Sequence, residues 1–206
     1  MMKFHSKEKN IIHLKDEKMY IEINITKDML NFAKDKISTI KFNKKELNKF
    51  GSEKTRTFFG YIGQAMILSY IGIPLYDVET FDYDVIFNNK KWEIKSISCK
   101  YKPPLDFLAT VNSHDLKGVH KQKSDYYIFN RILYDKTIGW ILGYISCDDF
   151  FKKGEFKSKG ENICSNPSVG KFEKANATVL PISKLHSFKD IKLDKQNWLK
   201  GRPLFL

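Results

Sequence analysis

Residues 81–96, FDYDVIFNNKKWEIKS, predict a tight β-hairpin, and this stretch decides the fold expected for the chain. Its two halves, FDYDVIF and KKWEIKS, alternate apolar and polar residues as half-buried strands do. They meet at Asn88-Asn89. Asparagine tolerates a positive φ better than most residues, so this pair fits the two-residue type I′ loop of a hairpin. The sequence therefore predicts two antiparallel strands in a fixed register.

In that register the polar face of the hairpin carries two carboxylates and a lysine. Asp84 stands opposite Glu93, about 5 Å away at Cβ, and Lys95 lies opposite Asp82 on the same face. Two carboxylates that face each other repel, so a sheet normally avoids this pair. A divalent cation removes the repulsion, and Mg²⁺ binds one or two protein carboxylates while keeping waters for a phosphate substrate. A half-solvated hairpin with a charged face explains the same residues without a metal.

Asp84, a gap of eight residues and then Glu93-Ile94-Lys95 resemble the core motif of the PD-(D/E)XK nuclease superfamily, also called restriction-endonuclease-like. The leading Pro-Asp of that motif is Tyr83-Asp84 here, which is a departure from the pattern. The resemblance implies an α/β fold with an αβββαβ core, in which helices flank a mixed central sheet. It also implies Mg²⁺, with Mn²⁺ as a substitute, held by Asp84, Glu93 and the carbonyl of Ile94. Lys95 would then position or deprotonate the attacking water.

The order of the predicted elements agrees with this core over residues 51–146. A helix at 52–70, with Ser52 as its N-cap, precedes the hairpin and ends before Gly72 and Pro74. Because apolar residues nearly encircle its second half, we expect it to be buried against the sheet. After the hairpin the sequence predicts a strand at 105–111, a polar helix at 114–122, and strands at 125–133 and 137–146.

Outside the core, the sequence predicts a strand at 19–25 and a helix at 27–36 capped by Thr26. Toward the C-terminus it predicts a helix at 148–153, a loop at 154–170, a strand at 175–182 and a helix that begins at Ser183. Residues 1–18 read as a flexible basic arm. Residues 19–206 read as one nuclease-like domain, with 147–206 as an extension of its core.

Further site candidates follow from the resemblance and from the charge pattern. In the superfamily the helix before the hairpin often presents Glu or Gln toward the metal, and Gln64 in YIGQAMIL matches that position. A buried amide bound by the backbone is the alternative for Gln64. The candidate nucleic-acid contacts are the polar and basic residues that follow the hairpin: Lys100, Lys102, Lys117, Lys121 and Gln122. An exposed charged face explains these five equally well.

Composition favours a nucleic-acid partner. The 206 residues carry a formal net charge of +12, which suits a polyanion such as DNA, with RNA left open. No apolar run approaches the ~20 residues that span a bilayer, so no membrane partner is expected. The three cysteines lie far apart without CxxC spacing, which indicates reduced thiols and a cytoplasmic protein.

Three functions are consistent with the sequence. The first is a Mg²⁺-dependent endonuclease that hydrolyses phosphodiester bonds in DNA, in a restriction, repair or phage setting. The second is a nucleic-acid-binding module without catalysis, which has no need to keep the two carboxylates and the lysine together. The third is a junction-resolving enzyme of the same superfamily that acts as a homodimer.

Overall fold

The computed structural model describes residues 20–42, 53–75, 83–112, 123–162 and 176–191, which form a mixed α/β protein with two sheets. The α/β class and the mixed central sheet with helices are therefore confirmed. The strands in chain order are β1 (Ile21–Asn24), β2 (Val85–Phe87), β3 (Lys90–Cys99), β4 (Leu108–Asn112), β5 (Tyr126–Leu133), β6 (Ile138–Ser146), β7 (Glu155–Lys157) and β8 (Ala177–Pro181). The helices are α1 (Lys27–Ser38), α2 (Glu53–Ile71) and α3 (Cys147–Lys153), and 3₁₀ turns lie at Ile182–Lys184 and Phe188–Asp190.

The predicted hairpin is present as β2 and β3, and the predicted register holds for the three pairs from Val85–Trp92 to Phe87–Lys90. The predicted pair Asp84–Glu93 lies beyond the start of β2 and is not part of this ladder. Val85 pairs with Trp92 across the two strands. Asn88 and Asn89 have φ values of 50° and 54°, as a type I′ loop requires. The Trp92 ring stacks on Phe87 with centroids 4.3 Å apart, and its indole N–H donates to the Phe87 carbonyl at 3.1 Å. Turn geometry and this aromatic pair together fix the register of the hairpin.

The hairpin lies at one edge of a five-stranded central sheet with the order β1-β6-β5-β3-β2. The strands β3 and β5 pair in parallel, and each other neighbouring pair is antiparallel. A parallel pair needs a long crossover connection. Here the crossover contains β4 and then residues 113–122, and residues 113–122 lie outside the described residues. The predicted helix at 114–122 therefore remains a prediction.

Helix α2 packs against the central sheet as its apolar pattern predicts. Every residue from Ile62 to Leu68 is buried. The helix approaches β3 closely at Gly63, where an added Cβ would lie 1.8 Å from the Ser96 Oγ. Gly72, with a φ of 72°, ends the helix in the left-handed conformation that glycine tolerates. This close packing sets the position of Gln64, the next residue of the helix.

The predicted strand at 105–111 differs from the expectation in both bounds and place. It begins at Leu108, and it belongs to a second, three-stranded sheet with the order β4-β8-β7. A turn after the Pro103-Pro104 pair redirects the chain, and the Phe107 N–H donates to the Pro104 carbonyl at 3.1 Å. The third strand of the predicted αβββαβ core therefore does not join the central sheet.

Two further predictions about the C-terminal part were wrong. The loop predicted at 154–170 contains β7, which pairs with β8, although residues 163–175 lie outside the described ones. The helix predicted from Ser183 is replaced by the two 3₁₀ turns. Buried Ile182, Leu185 and Phe188 recur every three residues. That spacing suits the three residues per turn of a 3₁₀ helix as well as an α-helix.

No helix in the described part of the chain is both long enough and apolar enough to cross a bilayer. The arm predicted at residues 1–18 lies outside the described residues.

The hairpin loop generates a stability prediction. Replacing Asn89 with valine places a β-branched residue at positive φ, which should lower the free energy of unfolding by about 1–2 kcal/mol. Replacing Asn89 with glycine should leave stability unchanged or raise it slightly. Urea unfolding of both variants provides the measurement. Lys90→Val is the matched control, because it places valine in the adjoining strand. If Asn89→Val is no less stable than this control, the loop assignment is contradicted.

Candidate functional site

The Asp84 carboxylate is bound to the edge of β3. Its Oδ2 accepts a hydrogen bond from the Ile94 N–H at 2.6 Å, and the Asp84 N–H donates to the Trp92 carbonyl at 2.9 Å. If the hairpin register continued, Ile94 would face Tyr83, but β2 begins only at Val85. The side chain of Asp84 therefore takes the place of a backbone carbonyl, and this fixes where its charge lies.

Glu93 and Lys95, the two neighbours of Ile94 in β3, form an ion pair. They are two residues apart in β3 and lie on one face of the strand. The Lys95 Nζ is 2.6 Å from the Glu93 Oε1, and the side chains are 24% and 10% exposed respectively. A carboxylate this buried needs a charged or hydrogen-bonding partner, and Lys95 provides one. From the sequence, a metal ion was the expected compensating cation. Asp82, the predicted partner of Lys95, lies outside the described residues.

Tyr127 forms an aromatic surface under this ion pair. It pairs with Glu93 in the parallel register of β3 and β5, and the Lys95 Nζ lies 5.8 Å from the centroid of its ring. Burial raises the pKa of Tyr127, and the nearby Cys147 and Glu93 add to the shift. The phenol therefore stays neutral at physiological pH, and its ring attracts the ammonium group. Sequence analysis missed Tyr127, because only the pairing of β3 with β5 brings it to the site.

Gln64 reaches the same region from α2. Its buried side-chain amide donates to the main-chain carbonyl of Asp84 at 3.2 Å. The structure thus brings Gln64 next to Asp84, and the contact to the backbone is the one that the buried-amide alternative describes. An approach of Gln64 to a metal ion stays a prediction. This bond ties the start of the hairpin to the helix that packs on the sheet. Gln64 therefore positions Asp84 whether or not it also approaches a ligand.

The site offers a small number of oxygen ligands, which suit a hard cation. Asp84 and Glu93 contribute carboxylates, and in a regular strand the carbonyl of Ile94 points to the same edge as its N–H, toward Asp84. Within the described ranges, no group of three or more His, Cys, Asp or Glu residues is arranged to hold a metal ion. Two carboxylates with waters fit Mg²⁺ better than zinc, which usually takes three or four nitrogen or sulfur ligands. That a single ion contacts both carboxylates remains a prediction.

The candidate nucleic-acid contacts are only partly described. Lys100 and Lys102 are exposed just beyond the end of β3. At ~3.3 Å per residue, Lys100 lies on the order of 16 Å along the strand from Lys95, outside direct contact with the site. The other three candidates, Lys117, Lys121 and Gln122, lie outside the described residues. Lys100 and Lys102 therefore lie away from the Glu93–Lys95 ion pair.

A buried arginine was also missed. Arg131 of β5 donates to the carbonyls of Leu108 at 2.9 Å and Asn130 at 3.3 Å. Burial lowers the pKa of Arg131 to about 10, so the guanidinium stays charged at neutral pH. Its bond to Leu108 joins the second sheet to the central sheet on the face that carries Glu93 and Lys95. This contact could not be predicted from the sequence, because it depends on the place of β4.

No protein-family model matches the chain, and neither a curated protein nor a solved structure matches it. The resemblance of residues 51–146 to the nuclease superfamily therefore depends on the short motif and on the order of elements around it. What the site does has to be inferred from the chemistry of its own side chains.

Proposed function

We propose that the protein is a Mg²⁺-dependent endonuclease that hydrolyses phosphodiester bonds in DNA. The observation that carries this proposal is the grouping of two carboxylates and an ammonium group around residues 93–95 of one strand. Asp84 is bound to the Ile94 N–H, and Lys95 is bound to Glu93. The relation to the restriction-endonuclease-like core is part of the proposal. The hairpin, α2 and the parallel strand β5 support it, whereas the place of β4 departs from it.

Asp84 and Glu93 would hold the metal ion, with the Ile94 carbonyl as a further ligand and Mn²⁺ as a substitute for Mg²⁺. When bound, such an ion neutralises charge on the scissile phosphate and lowers the pKa of a bound water. Each carboxylate has two oxygens with about four acceptor directions in total. A hydrogen bond to one oxygen therefore does not prevent the carboxylate from binding a cation. The hydrogen bond from Ile94 would keep Asp84 oriented toward the strand during the reaction.

Lys95 would act on the attacking water or on the developing phosphate charge. Its ammonium group has three N–H donors, and one of them contacts Glu93. Its side chain is 24% exposed, so a phosphate can approach it from solvent. A donor fixed at the point where charge develops typically contributes 10²–10³ in rate. The Tyr127 ring and Glu93 restrict the ammonium group to one position, which gives it the preorganisation that this effect requires.

The basic character of the chain would hold the DNA backbone. The net charge of +12 and exposed lysines such as Lys100 and Lys102 favour binding to phosphates with release of counterions. Affinity for DNA should therefore fall steeply with salt, whatever the sequence of the DNA.

A binding module without catalysis is the second candidate, and one observation favours it. The Asp84–Ile94 and Glu93–Lys95 bonds satisfy these polar groups within the protein, so the hairpin does not need a metal ion for its own stability. Cleavage assays separate the two candidates. Plasmid, linear and single-stranded DNA are incubated with the protein in Mg²⁺ and in EDTA, and product that forms only with Mg²⁺ supports the nuclease.

Substitution of Lys95 tests its role in the chemistry. We expect Lys95→Ala to lower the cleavage rate by at least about 100-fold, because it removes a donor at the reacting phosphate. DNA affinity measured in EDTA should stay within about twofold. The matched variant Lys100→Ala should do the opposite, with little change in maximal rate and a weaker, less salt-dependent affinity. Equal partial losses in both variants would favour the binding module.

Thermal melts test the metal ligands. In EDTA, Asp84→Asn should lose about 1 kcal/mol of stability, since a neutral oxygen replaces a charged acceptor for the Ile94 N–H. Repulsion between the two carboxylates should not reverse this sign, because Lys95 already compensates Glu93. In Mg²⁺ at a hundredfold excess over its dissociation constant, the wild type should gain about 2.7 kcal/mol and the variant less.

Asp135→Asn provides the control for these melts. Asp135 also accepts a backbone N–H, from Thr137 at 2.9 Å, but it lies in the turn between β5 and β6. The melting temperature of the Asp135→Asn variant should rise with Mg²⁺ as that of the wild type does. A wild-type melting temperature that does not change at millimolar Mg²⁺ would contradict metal binding by the free protein.

A further inference from the structure

The segment between β3 and β4 exposes two aromatic rings at the protein surface. Tyr101 is 62% exposed and Phe107 is 37% exposed. Their ring centroids lie 6.5 Å apart with an interplanar angle of 58°. Aromatic side chains contribute most when they are buried, so two adjacent exposed rings indicate a surface that meets a partner.

The backbone around these rings is hydrogen-bonded to the 3₁₀ turn that follows β8. The N–H of Ser183 donates to the Leu105 carbonyl at 3.0 Å, and that of Ile182 donates to the Phe107 carbonyl at 2.8 Å. Pro103 is buried, and with Pro104 it restricts the backbone of the turn. This segment of the protein is therefore already ordered before a partner binds, which lowers the entropic cost of binding.

Two lysines give this surface its charge. Lys100 and Lys102 directly flank Tyr101 and are both exposed, and Asp106 is the only acidic residue of the segment 100–107. An exposed ring between two cations matches the pattern of single-stranded nucleic-acid binding. In that pattern a base stacks on the ring and the adjoining phosphates contact the lysines. A protein partner would gain less here, because the apolar area is small and the flanking charges would have to be desolvated.

The surface lies in line with the candidate active site. Ile97 is two residues beyond Lys95, so it lies on the same face of β3, and it is 43% exposed. β3 ends at Cys99, on the order of 13 Å along the strand from Lys95, and Tyr101 follows two residues later in the chain. At 3.4 Å per nucleotide, this part of the strand alone spans about four stacked nucleotides. One nucleic-acid strand can therefore contact the rings and Lys95 at the same time.

We propose that Tyr101 and Phe107 form a stacking surface for an unpaired base, and that the substrate of the site is DNA with a single-stranded segment. This inference rests on the proposed function for the identity of the strand, since the strand that stacks is the strand to be cut. It adds the class of substrate, which the carboxylates and Lys95 leave open. The rings recognise the π-face of a base, so they accept any base sequence.

Binding assays without cleavage test this inference. The wild type, Tyr101→Ala and Tyr101→Phe are titrated in EDTA with fluorescent oligo-dT, oligo-U and a blunt DNA duplex. We expect Tyr101→Ala to weaken oligo-dT binding by about tenfold, within the range measured for one stacked base, and to change duplex binding by less than twofold. Tyr101→Phe keeps the ring and should bind all three probes like the wild type. A similar loss with oligo-U would show that the surface accepts either sugar.

Tyr70→Ala is the matched control, because Tyr70 is also partly exposed but lies at the end of α2. It should bind every probe like the wild type. Unchanged oligo-dT binding by Tyr101→Ala would overturn the inference, and so would an equal loss with oligo-dT and duplex. Cleavage by Lys95→Ala, measured separately, tests the proposed function. If Tyr101→Ala weakens oligo-dT binding but Lys95→Ala cleaves at the wild-type rate, the stacking surface stands and the proposed nuclease mechanism is wrong.

Discussion

The hydrogen bond from the Ile94 N–H to the Asp84 carboxylate is the interaction on which the site depends. It forms because β2 is short and leaves the edge of β3 without a backbone partner at Ile94. A charged acceptor at 2.6 Å is stronger than a neutral carbonyl, so the edge stays closed while the carboxylate is held in one orientation. Gln64 then connects the same residue to α2 through the Asp84 carbonyl. Two hydrogen bonds to Asp84 thus connect this candidate metal ligand to the edge of β3 and to α2.

The second constraint is the cost of burying Glu93. A carboxylate that is 10% exposed is unfavourable unless it is paired, and Lys95 and the surrounding polar groups make its burial tolerable. The same arrangement restricts the lysine, which lies over the neutral ring of Tyr127. A charged group that is fixed before a substrate arrives needs no reorganisation during the reaction. Stability and the proposed chemistry therefore both depend on Glu93, Lys95 and Tyr127.

The sequence predicts what short-range chemistry determines and misses what distant packing determines. Asn88-Asn89 identifies the hairpin, because the φ requirement of the loop is local, and the apolar pattern of α2 identifies a buried helix. The place of β4 could not be predicted, because a strand pattern does not say which sheet the strand joins. The pairing of Tyr127 with Glu93 could not be predicted either, since the two residues belong to parallel strands joined by a long crossover. The bond from Asp84 to Ile94 was missed because it replaces a regular backbone contact.

We propose that Asp84 and Glu93 hold one divalent ion at the Ile94 position of β3. Mn²⁺ titration of ¹⁵N-labelled protein, followed by amide NMR spectra, tests it directly because the paramagnetic ion broadens only nearby signals. We expect substoichiometric Mn²⁺ to broaden the amide signals of residues 84 and 93–95 first, while the loop amides of Asn88 and Asn89 persist. We expect Mg²⁺ to restore the lost signals. Broadening that is uniform, that begins elsewhere, or that Mg²⁺ does not reverse would contradict the claim.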